Sequence, residues 1–397
     1  MENDAIAVTV FWTALSVLFY TYVGYPVVLW VRRCSLHRPV RKDMAYAPSL
    51  SFLILAHNEE EHIRRKLENT LNLEYPGERP EILVASDGST DRTNEIVLEF
   101  KDRHVSLLTF RTRRGKAQAL NDAIPMCRGE IVIVSDTRQI YSPWAILELV
   151  ANFGDPEVGA VTGDLQFLDV PGSKVGAHMG QYWRYEKWIR RLQSETDSTP
   201  VVTGAIYAIR RSLFQPLPGR CIADDLAIPM NIIMQGFRVI FDPEARAYDH
   251  FPRTLNEEFR KRTRTIAGSY QFLAQVPSVL NPGANRTWFD FVSHKVFRVL
   301  APFALLAVFA ANLAIPAWPY QVTLALQVAF YGMAGVGAIL AGRGAMPRAL
   351  SAPYTFVMLN AAAGVALFKL LTGAQTHLWE KSQGTDRVMA HFQDHQT

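Results

Sequence analysis

Four long apolar runs divide the chain into two chemically different parts. The first run covers residues 5–31 and contains no charged residue, and three more follow at about residues 296–318, 320–342 and 350–373. Each run reaches or exceeds the roughly 20 apolar residues that cross a bilayer as a helix. Buried core helices are the alternative, but four such runs outside the charged middle of the chain favour membrane spans. The pattern predicts one N-terminal and about three C-terminal transmembrane helices.

Between these runs, short apolar strands alternate with stretches of helical periodicity. The segments "SLSFLILAHN", "EILVASD", "HVSLLTF" and "GEIVIVSD" are typical of buried strands. The segment "EEHIRRKLENTLNLEYP" places Ile63, Leu67 and Leu71 on one helical stripe, and "GKAQALNDAI" is also helical. Strands that alternate with helices indicate βαβ units, so we predict an α/β domain with a mostly parallel sheet.

The charges around the first apolar run predict its orientation. Glu2 and Asp4 precede the run, and a basic cluster follows it, consisting of Arg32, Arg33, Arg38, Arg41 and Lys42. A cleavable signal peptide would have basic residues before a shorter apolar core. The positive-inside rule instead predicts an anchor in the inner cell membrane, with a cytoplasmic central domain. By the same count, Arg343 and Arg348 lie inside and the nearly neutral C-terminal tail lies outside.

Composition and charge argue against nucleic-acid binding and against disulfide bonds. The net charge of +4 is small and partly explained by the basic cluster beside the first run, and no nucleic-acid-binding signature is present. Three cysteines without paired spacing predict reduced thiols in a cytoplasmic domain.

Polar residues end three of the predicted strands. Asn58 and Glu59 follow the first strand, Asp87 ends the second, and Asp136 ends the "GEIVIVSD" strand. A single aspartate at a strand end could be a helix cap, and Ser135 and Asp136 are both suited to that use. Ligands of open α/β sheets bind beyond the carboxyl ends of strands, so together these residues predict one binding crevice. The fingerprint G-x-G-x-x-G is missing after the first strand, which argues against a dinucleotide fold. Carboxylates in this crevice could accept hydrogen bonds from a base or a ribose, and they could coordinate a divalent cation that is bound to a diphosphate.

Six motifs in order resemble those of family 2 glycosyltransferases: "LAHNEEEHI", "VASDGSTDRT", "RRGKAQALN", "VSDTRQIYSPWAI", "VTGAIYAIRRSLF" and "ADDLAIPMNIIMQGFRV". The similarity covers about residues 49–268 and is greatest to the membrane-integrated branch that contains cellulose, chitin and hyaluronan synthases. It implies a GT-A type nucleotide-sugar-binding domain. The predicted organisation is an anchor (1–31), a cytoplasmic glycosyltransferase domain (32–256), an amphipathic interface segment (257–294), C-terminal transmembrane helices (295–375) and a tail (376–397).

The resemblance implies a role for each candidate site residue. Asp225 matches the catalytic base that takes a proton from the acceptor hydroxyl, in a single displacement that inverts the anomeric carbon. Asp136 matches the first acid of a D-x-D motif, which holds Mg²⁺ or Mn²⁺ on the diphosphate. The predicted nucleotide-sugar-binding residues are Asn58, Glu59, Asp87, Lys116, Asp136, Arg262 and Arg264. The alternatives are N-capping for Asp224 and Asp225, and a solvated lysine for Lys116.

Two motifs depart from the family pattern. The second acid of D-x-D is Arg138, so that metal binding rests on fewer carboxylates or Arg138 meets phosphate directly. The Q-x-x-R-W motif aligns with "KRTRT", where Lys261 replaces the glutamine and Thr265 the tryptophan, which weakens the case for long-polymer synthesis.

The expected substrates follow from the same resemblance. The donor is a nucleotide sugar, most simply a UDP-sugar, and the acceptor is a glycan or a lipid-linked molecule at the membrane. A processive synthase and a single-addition transferase are both compatible with the motifs. The alternative from another class is a non-catalytic membrane subunit that binds a nucleotide sugar. The segment "NEEFRKRTRTIAGSYQFLAQV" would lie on the membrane lipid surface or pack on the domain.

Overall fold

The computed structural model of the chain describes residues 2–168, 175–250, 254–342 and 346–378. Within these residues, one mixed sheet lies at the centre of the fold. Its eight strands are β1 (Leu50–Ala56), β2 (Glu81–Asp87), β3 (Val105–Phe110), β4 (Ile131–Asp136), β5 (Ile140–Tyr141), β6 (Val158–Leu168), β7 (Tyr207–Arg210) and β8 (Arg238–His250). Their spatial order is β3-β2-β1-β4-β7-β6-β8-β5.

The first half of the sheet is parallel, as the alternation of strands and helices predicts. β1 pairs in parallel with β2 and β4, and β2 pairs in parallel with β3. The carboxyl ends of these four strands therefore lie along one edge. β7 runs antiparallel between β4 and β6, whereas β6 and β8 are parallel. The sheet is mostly parallel but mixed, which confirms the predicted fold class.

Helices cover the sheet and extend from it. They are α1 (Glu2–Phe19), α2 (Tyr25–Leu36), α3 (Ile63–Leu71), α4 (Thr93–Leu98), α5 (Lys116–Ala123), α6 (Ala145–Ala151), α7 (Val175–Thr196), α8 (Asp224–Met234), α9 (Leu255–Gln275), α10 (Trp288–Phe291), α11 (Phe297–Ala314), α12 (Trp318–Gly342) and α13 (Arg348–Leu371). π-helical turns at Tyr20–Gly24 and Val292–Val296 join α1 to α2 and α10 to α11.

Both faces of the sheet are buried, which explains why its strands are apolar on both sides. In β1, Phe52 and Ile54 belong to a core shared with α3 and α6. The alternate residues Leu53 and Leu55 belong to a second core, shared with α5 and α8. The sheet therefore holds its strand ends rigidly between two packed layers.

Four helical stretches of the described residues are long and apolar enough to cross a membrane: Asp4–Leu36, Trp288–Ala314, Trp318–Ala341 and Arg348–Leu371. They coincide with the four predicted runs and confirm one N-terminal and three C-terminal apolar helices. Phe11 of α1 packs against Val308 and Ala311 of α11. Large side chains such as Leu306 and Leu326 stay about two-thirds exposed, as lipid-facing residues do. These features indicate a membrane protein.

The last helix does not lead away from the domain. α13 packs along α9 as well as against α12, and its Met358 lies among Trp183 and Phe259 of the domain. After α13, the Cδ2 atom of His377 lies 3.1 Å from where a Cβ on Gly115 would be. The expectation that the tail (376–397) lies across the membrane from the domain is therefore wrong for residues 376–378, because packing on α9 brings the end of α13 back to the domain.

Candidate active site

A cavity of about 1000 Å³ lies beyond the carboxyl ends of β1 and β4 and continues between the domain and the apolar helices. Of the predicted residues, it brings together Glu59, Lys116, Asp136, Asp225, Arg262 and Arg264. Asn58 and Asp87 are not among the residues that line it. Strand tips and two helices thus meet at one place, as the binding rule for α/β sheets predicts.

Asp136 ends β4 and points its carboxylate into the cavity. Its Oδ1 lies 2.9 Å from the Lys116 ammonium, and its side chain is 41% exposed. The alternative that Asp136 caps a helix is wrong, since the chain turns at residues 137–139 and enters β5. A strand that is buried on both faces therefore delivers one accessible carboxylate at its tip.

Lys116 is held between two carboxylates at the start of α5. Its Nζ atom lies 2.9 Å from Asp136 and 3.3 Å from Oδ2 of Asp224. Burial alone would lower the pKa of Lys116, but the two carboxylates outweigh burial and raise it. The alternative of a solvated lysine is wrong, since the side chain is only 12% exposed. The fixed cation suits a diphosphate.

Asp87 shapes the turn that carries Lys116. Its two carboxylate oxygens accept the backbone N–H groups of Arg114 and Gly115, each at 2.8 Å. Gly115 has φ +97°, a conformation that favours glycine and lets the chain turn sharply into α5. Asp87 is fully buried, so its observed contacts are within the protein.

Asn58 and Glu59 have different surroundings although they are adjacent. Asn58 has φ +54°, and its side-chain oxygen accepts the N–H of Thr90 at 2.8 Å, which joins the loops after β1 and β2. Glu59 is 8% exposed and lines the cavity, while its backbone N–H donates to Oγ1 of Thr93 at 2.8 Å. Glu59 is thus the member of this pair at the cavity wall.

Asp224 and Asp225 begin α8, and the structure explains how the helix start is held. The N-cap position is Ala223, and neither aspartate makes a capping hydrogen bond. Pro229 lies within α8 and has no N–H for the carbonyl of Asp225, which lies four residues earlier. That carbonyl instead accepts the N–H of Val202 at 2.9 Å. Because Pro229 leaves the carbonyl of Asp225 free, a backbone hydrogen bond joins α8 to the loop that contains Val202.

The Asp225 carboxyl has the acid strength expected of a base that works near neutral pH. Burial and the neighbouring Asp224 carboxylate raise its pKa to about 6, although Lys116, Lys295 and Arg190 oppose the shift. Asp224 instead forms an ion pair with Lys116. The two adjacent aspartates are therefore chemically distinct.

α9 supports the loop before α8. Oε1 of Gln271 accepts the N–H of Ile222 at 2.9 Å, and its Nε2 donates to the carbonyl of Arg220 at 2.9 Å. A Cβ atom on Gly268 would lie 2.7 Å from the Cβ of Ala223, so the two helices approach closely. α9 packs on the domain in this way, as one of its two sequence alternatives predicted.

Two arginines of α9 present guanidinium groups to the cavity. Arg262 pairs with Glu258 at 2.6 Å, and its guanidinium carbon lies 4.7 Å from the ring centre of Trp183. Within the described residues, Nη2 of Arg262 and Nε of Arg264 are buried and lack a hydrogen-bond partner. Such donors suit an anion, in keeping with the predicted contacts to a diphosphate.

The turn after Asp136 is held by residues that sequence reasoning missed. The Lys66 side chain is fully buried in α3, and its ammonium donates to the carbonyl of Gln139 at 2.9 Å. The side-chain amide of Asn69 donates to the carbonyl of Tyr141 and accepts the N–H of the same residue. Burial lowers the pKa of Lys66 well below its usual value. The signal was present, since Lys66 lies three residues after Ile63, on the buried face of α3.

The far end of the cavity was also missed. Its lining residues come from α7, α11, α13 and the π-helical turns before α2 and α11, and include Tyr22, Tyr185, Glu186, Arg190, His294, Lys295, Arg298 and Asn360. Burial would raise the pKa of Glu186, but the ion pair with Arg298 holds it well below its usual range. Charged residues at the start of an apolar run were the available signal.

Asp136 can serve as a metal ligand with help from a substrate. Among the described residues, no three His, Cys, Asp or Glu side chains form a ready-made metal cluster. Mg²⁺ is commonly held by one or two carboxylates together with substrate phosphates, and one exposed carboxylate fits this requirement. Arg138, in place of the second acid, lines the same cavity.

Comparisons with known proteins identify the family to which the chain belongs. Residues 47–268, more than half of the chain, match a family model described as glycosyltransferase like family 2. The probable glycosyltransferase YdaM of Bacillus subtilis is 30% identical over 258 residues, 59% of either chain. A poly-beta-1,6-N-acetyl-D-glucosamine synthase of Staphylococcus epidermidis is 26% identical over 261 residues, 64% of this chain and 63% of the synthase. The matches span about three fifths of the length of these relatives.

One solved structure resembles the chain over nearly its whole length. The mannosyltransferase PcManGT from Pyrobaculum calidifontis, in complex with GDP-Man and Mn²⁺, has 24% identity and a TM-score of 0.70. The match covers 93% of this chain and 99% of that one. This likeness shows that the two proteins share a fold.

Proposed function

Since the chain belongs to glycosyltransferase family 2, we propose that it transfers a sugar, with inversion, from a nucleotide-sugar donor to a polysaccharide or lipid-linked acceptor. The observation that supports this most strongly is the contact of Lys116 with both Asp136 and Asp224, directly beside Asp225. A cation for the diphosphate and a carboxylate with a pKa of about 6 then face one cavity.

The reaction is a single displacement. The acceptor hydroxyl gives its proton to the Asp225 carboxylate while its oxygen bonds to the anomeric carbon. The bond from that carbon to the diphosphate oxygen breaks, and its electron pair leaves with the nucleoside diphosphate. Attack from the face opposite the leaving group inverts the anomeric configuration.

Several groups would stabilise the leaving diphosphate. Lys116 supplies a fixed positive charge, and Arg262 and Arg264 present buried donors to the same cavity. Asp136 would hold Mg²⁺ or Mn²⁺, which when bound neutralises charge on the diphosphate. Arg138 stands where relatives have the second acid, so it would add a direct phosphate contact.

The nucleoside would lie beside Glu59. Its carboxylate can accept hydrogen bonds from a base or a ribose. Asp87 already accepts two backbone N–H groups, but each carboxylate oxygen has a second lone pair, so a ribose contact stays a prediction. Asn58 would contribute indirectly, by holding the loop after β2 through its hydrogen bond with Thr90. We expect a UDP-sugar as the donor.

The domain would face the cytoplasm, where nucleotide sugars are made, with the apolar helices in the inner membrane. The basic cluster after residue 31 supports this orientation by the positive-inside rule. Thr265, in place of the tryptophan of processive relatives, favours addition of one sugar, whereas the helices after the domain favour a synthase.

The deciding experiment is turnover by the purified full chain. The protein would be incubated with radiolabelled UDP- and GDP-sugars and membrane lipids, and the product would be sized. A ladder or polymer would indicate a synthase, and one lipid-soluble product a single-addition enzyme. Donor binding without transfer to any acceptor would refute the enzymatic proposal and favour the non-catalytic subunit.

A further inference from the structure

The wall of the cavity becomes basic at the end nearest the apolar helices. Arg190 of α7 lines this end together with Lys295 and Arg298. Lys295 lies in the π-helical turn Val292–Val296, within the stretch Trp288–Ala314 that is long and apolar enough to cross a membrane. Cationic residues in such stretches usually face a functional cavity.

Carboxylates neutralise only part of this positive charge. Arg298 pairs with Glu186, whose other oxygen lies 3.4 Å from Nε2 of His294. Arg190 donates to the neutral hydroxyl of Thr203 at 2.7 Å. Across the ranges that the structure describes, Lys295 has neither an ion pair nor a hydrogen bond from its ammonium group.

In the described part of the chain, two carboxylates lie within electrostatic range of Lys295: Glu186, which is already paired with Arg298, and Asp225, which also interacts with Arg190. In the proposed function, Asp225 is the base that takes the proton of the acceptor hydroxyl, so it is not a permanent counterion for these cations. Partly buried cations that outnumber the carboxylates beside them are costly, so this end of the cavity is suited to an anion that enters with a ligand.

The surface beside the cations is apolar. Val299 of α11 lines the same cavity, together with Phe356, Leu359 and Ala363 of α13. A glycan carboxylate would bury less apolar area against this surface than a hydrocarbon chain, because sugar rings carry hydroxyl groups. A molecule with an anionic head and a hydrocarbon chain matches both parts of the wall.

We propose, on the premise that the proposed function holds, that Arg190, Lys295 and Arg298 bind the phosphate of a lipid-linked acceptor. Its hydrocarbon chain lies along Val299 and Phe356. Lys116 would hold the donor diphosphate and these three cations the acceptor phosphate, with Asp225 in electrostatic contact with Lys116, Arg190 and Lys295. This arrangement selects an anionic lipid over a neutral glycan.

Ligand binding by the full chain in detergent micelles tests this subsite. The probes are farnesyl phosphate, farnesol and inorganic phosphate, and UDP and GDP report on the donor end. Farnesyl phosphate should bind at least roughly tenfold more tightly than farnesol or inorganic phosphate. Lys295→Gln and Arg190→Gln should each weaken it roughly tenfold and leave nucleotide binding unchanged. Arg41→Gln, an equal loss of charge at an exposed residue outside the cavity, is the control.

The outcomes separate the subsite from the proposed function. Equal affinity for farnesyl phosphate and inorganic phosphate, or an unchanged affinity in Lys295→Gln, would overturn the lipid subsite. Tighter binding of a glucuronate oligosaccharide, lost in the same variants, would overturn it too and assign the cations to a glycan carboxylate. If the chain binds neither UDP- nor GDP-sugars, the proposed function itself fails, whatever the lipid does.

Discussion

Replacing Asp225 with asparagine removes the proposed base with little change of shape. The side chain keeps its size, and the structure shows no cap for it to lose, because Ala223 occupies the N-cap position of α8. The contact from Val202 to residue 225 is made by the backbone carbonyl, so it survives the substitution. What disappears is the ability to accept a proton.

The size of the effect follows from the pKa of about 6. About nine-tenths of Asp225 is ionised at pH 7 and about one-tenth at pH 5, so wild-type turnover should fall roughly tenfold between these values. In Asp225→Asn, turnover at pH 7 should fall by roughly 100-fold or more, as losses of a general base do, without that acidic limb. The raised pKa means that ionising Asp225 costs folding free energy as the pH rises through about 6. We therefore expect the variant to be no less stable than wild type at pH 7.

Single-turnover transfer of radiolabelled sugar, measured from pH 5 to 8, provides the assay. Nucleotide-sugar affinity and the thermal midpoint should stay close to wild type. Asp224→Asn is the matched control, and because Asp224 contacts Lys116 it should weaken donor binding more than the chemical step. Near-normal turnover in Asp225→Asn, with activity abolished in Asp224→Asn, would refute the assignment and move the base by one residue.

Four further predictions test other parts of the structure. EDTA should lower transfer at least roughly tenfold, and Mg²⁺ or Mn²⁺ should restore it; full activity in EDTA would leave Arg138 as the phosphate ligand. Lys66→Met should lower the free energy of unfolding by about 1–3 kcal/mol, because the Gln139 carbonyl loses its donor, whereas Lys101→Met on the surface should not change the thermal midpoint. Gly268→Ala should reduce turnover by forcing α9 away from Ala223; Gly364→Ala, where no atom lies within 4 Å of the new Cβ, should not. In a Cys34→Ser background, Asp43→Cys should react with an impermeant maleimide only after lysis, and labelling of intact cells would place the domain outside.

The part of the cavity around Asp136 and Lys116 was predictable because short sequence patterns identify its residues. A buried strand run followed by Asp136, and a glycine followed by Lys116, are short patterns whose geometry depends on a few neighbours. The parallel order of the strands then brings their tips together. The four apolar helices were predictable for a similar reason, since length and composition suffice to identify them.

At the far end of the cavity, charged residues at the start of an apolar run were visible in the sequence, but their contacts were not predictable, because these join residues far apart in the chain. Nothing near Glu186 in sequence indicates a partner more than a hundred residues later, yet it pairs with Arg298. The role of Pro229 also depends on a distant backbone group, the N–H of Val202. The return of α13 to the domain was missed because hydropathy records length and composition but not which surface a helix packs on.

The shared cavity wall has a practical consequence for dissecting the protein. A water-soluble fragment that begins after Leu36 and stops before Trp288 would keep Lys116, Asp136 and Asp225, but it would lack the wall that Lys295 and Val299 provide. Water would then enter from that open side and compete as the nucleophile. Such a fragment is expected to waste donor by hydrolysis, so its activity would misreport the enzyme's preference for acceptors.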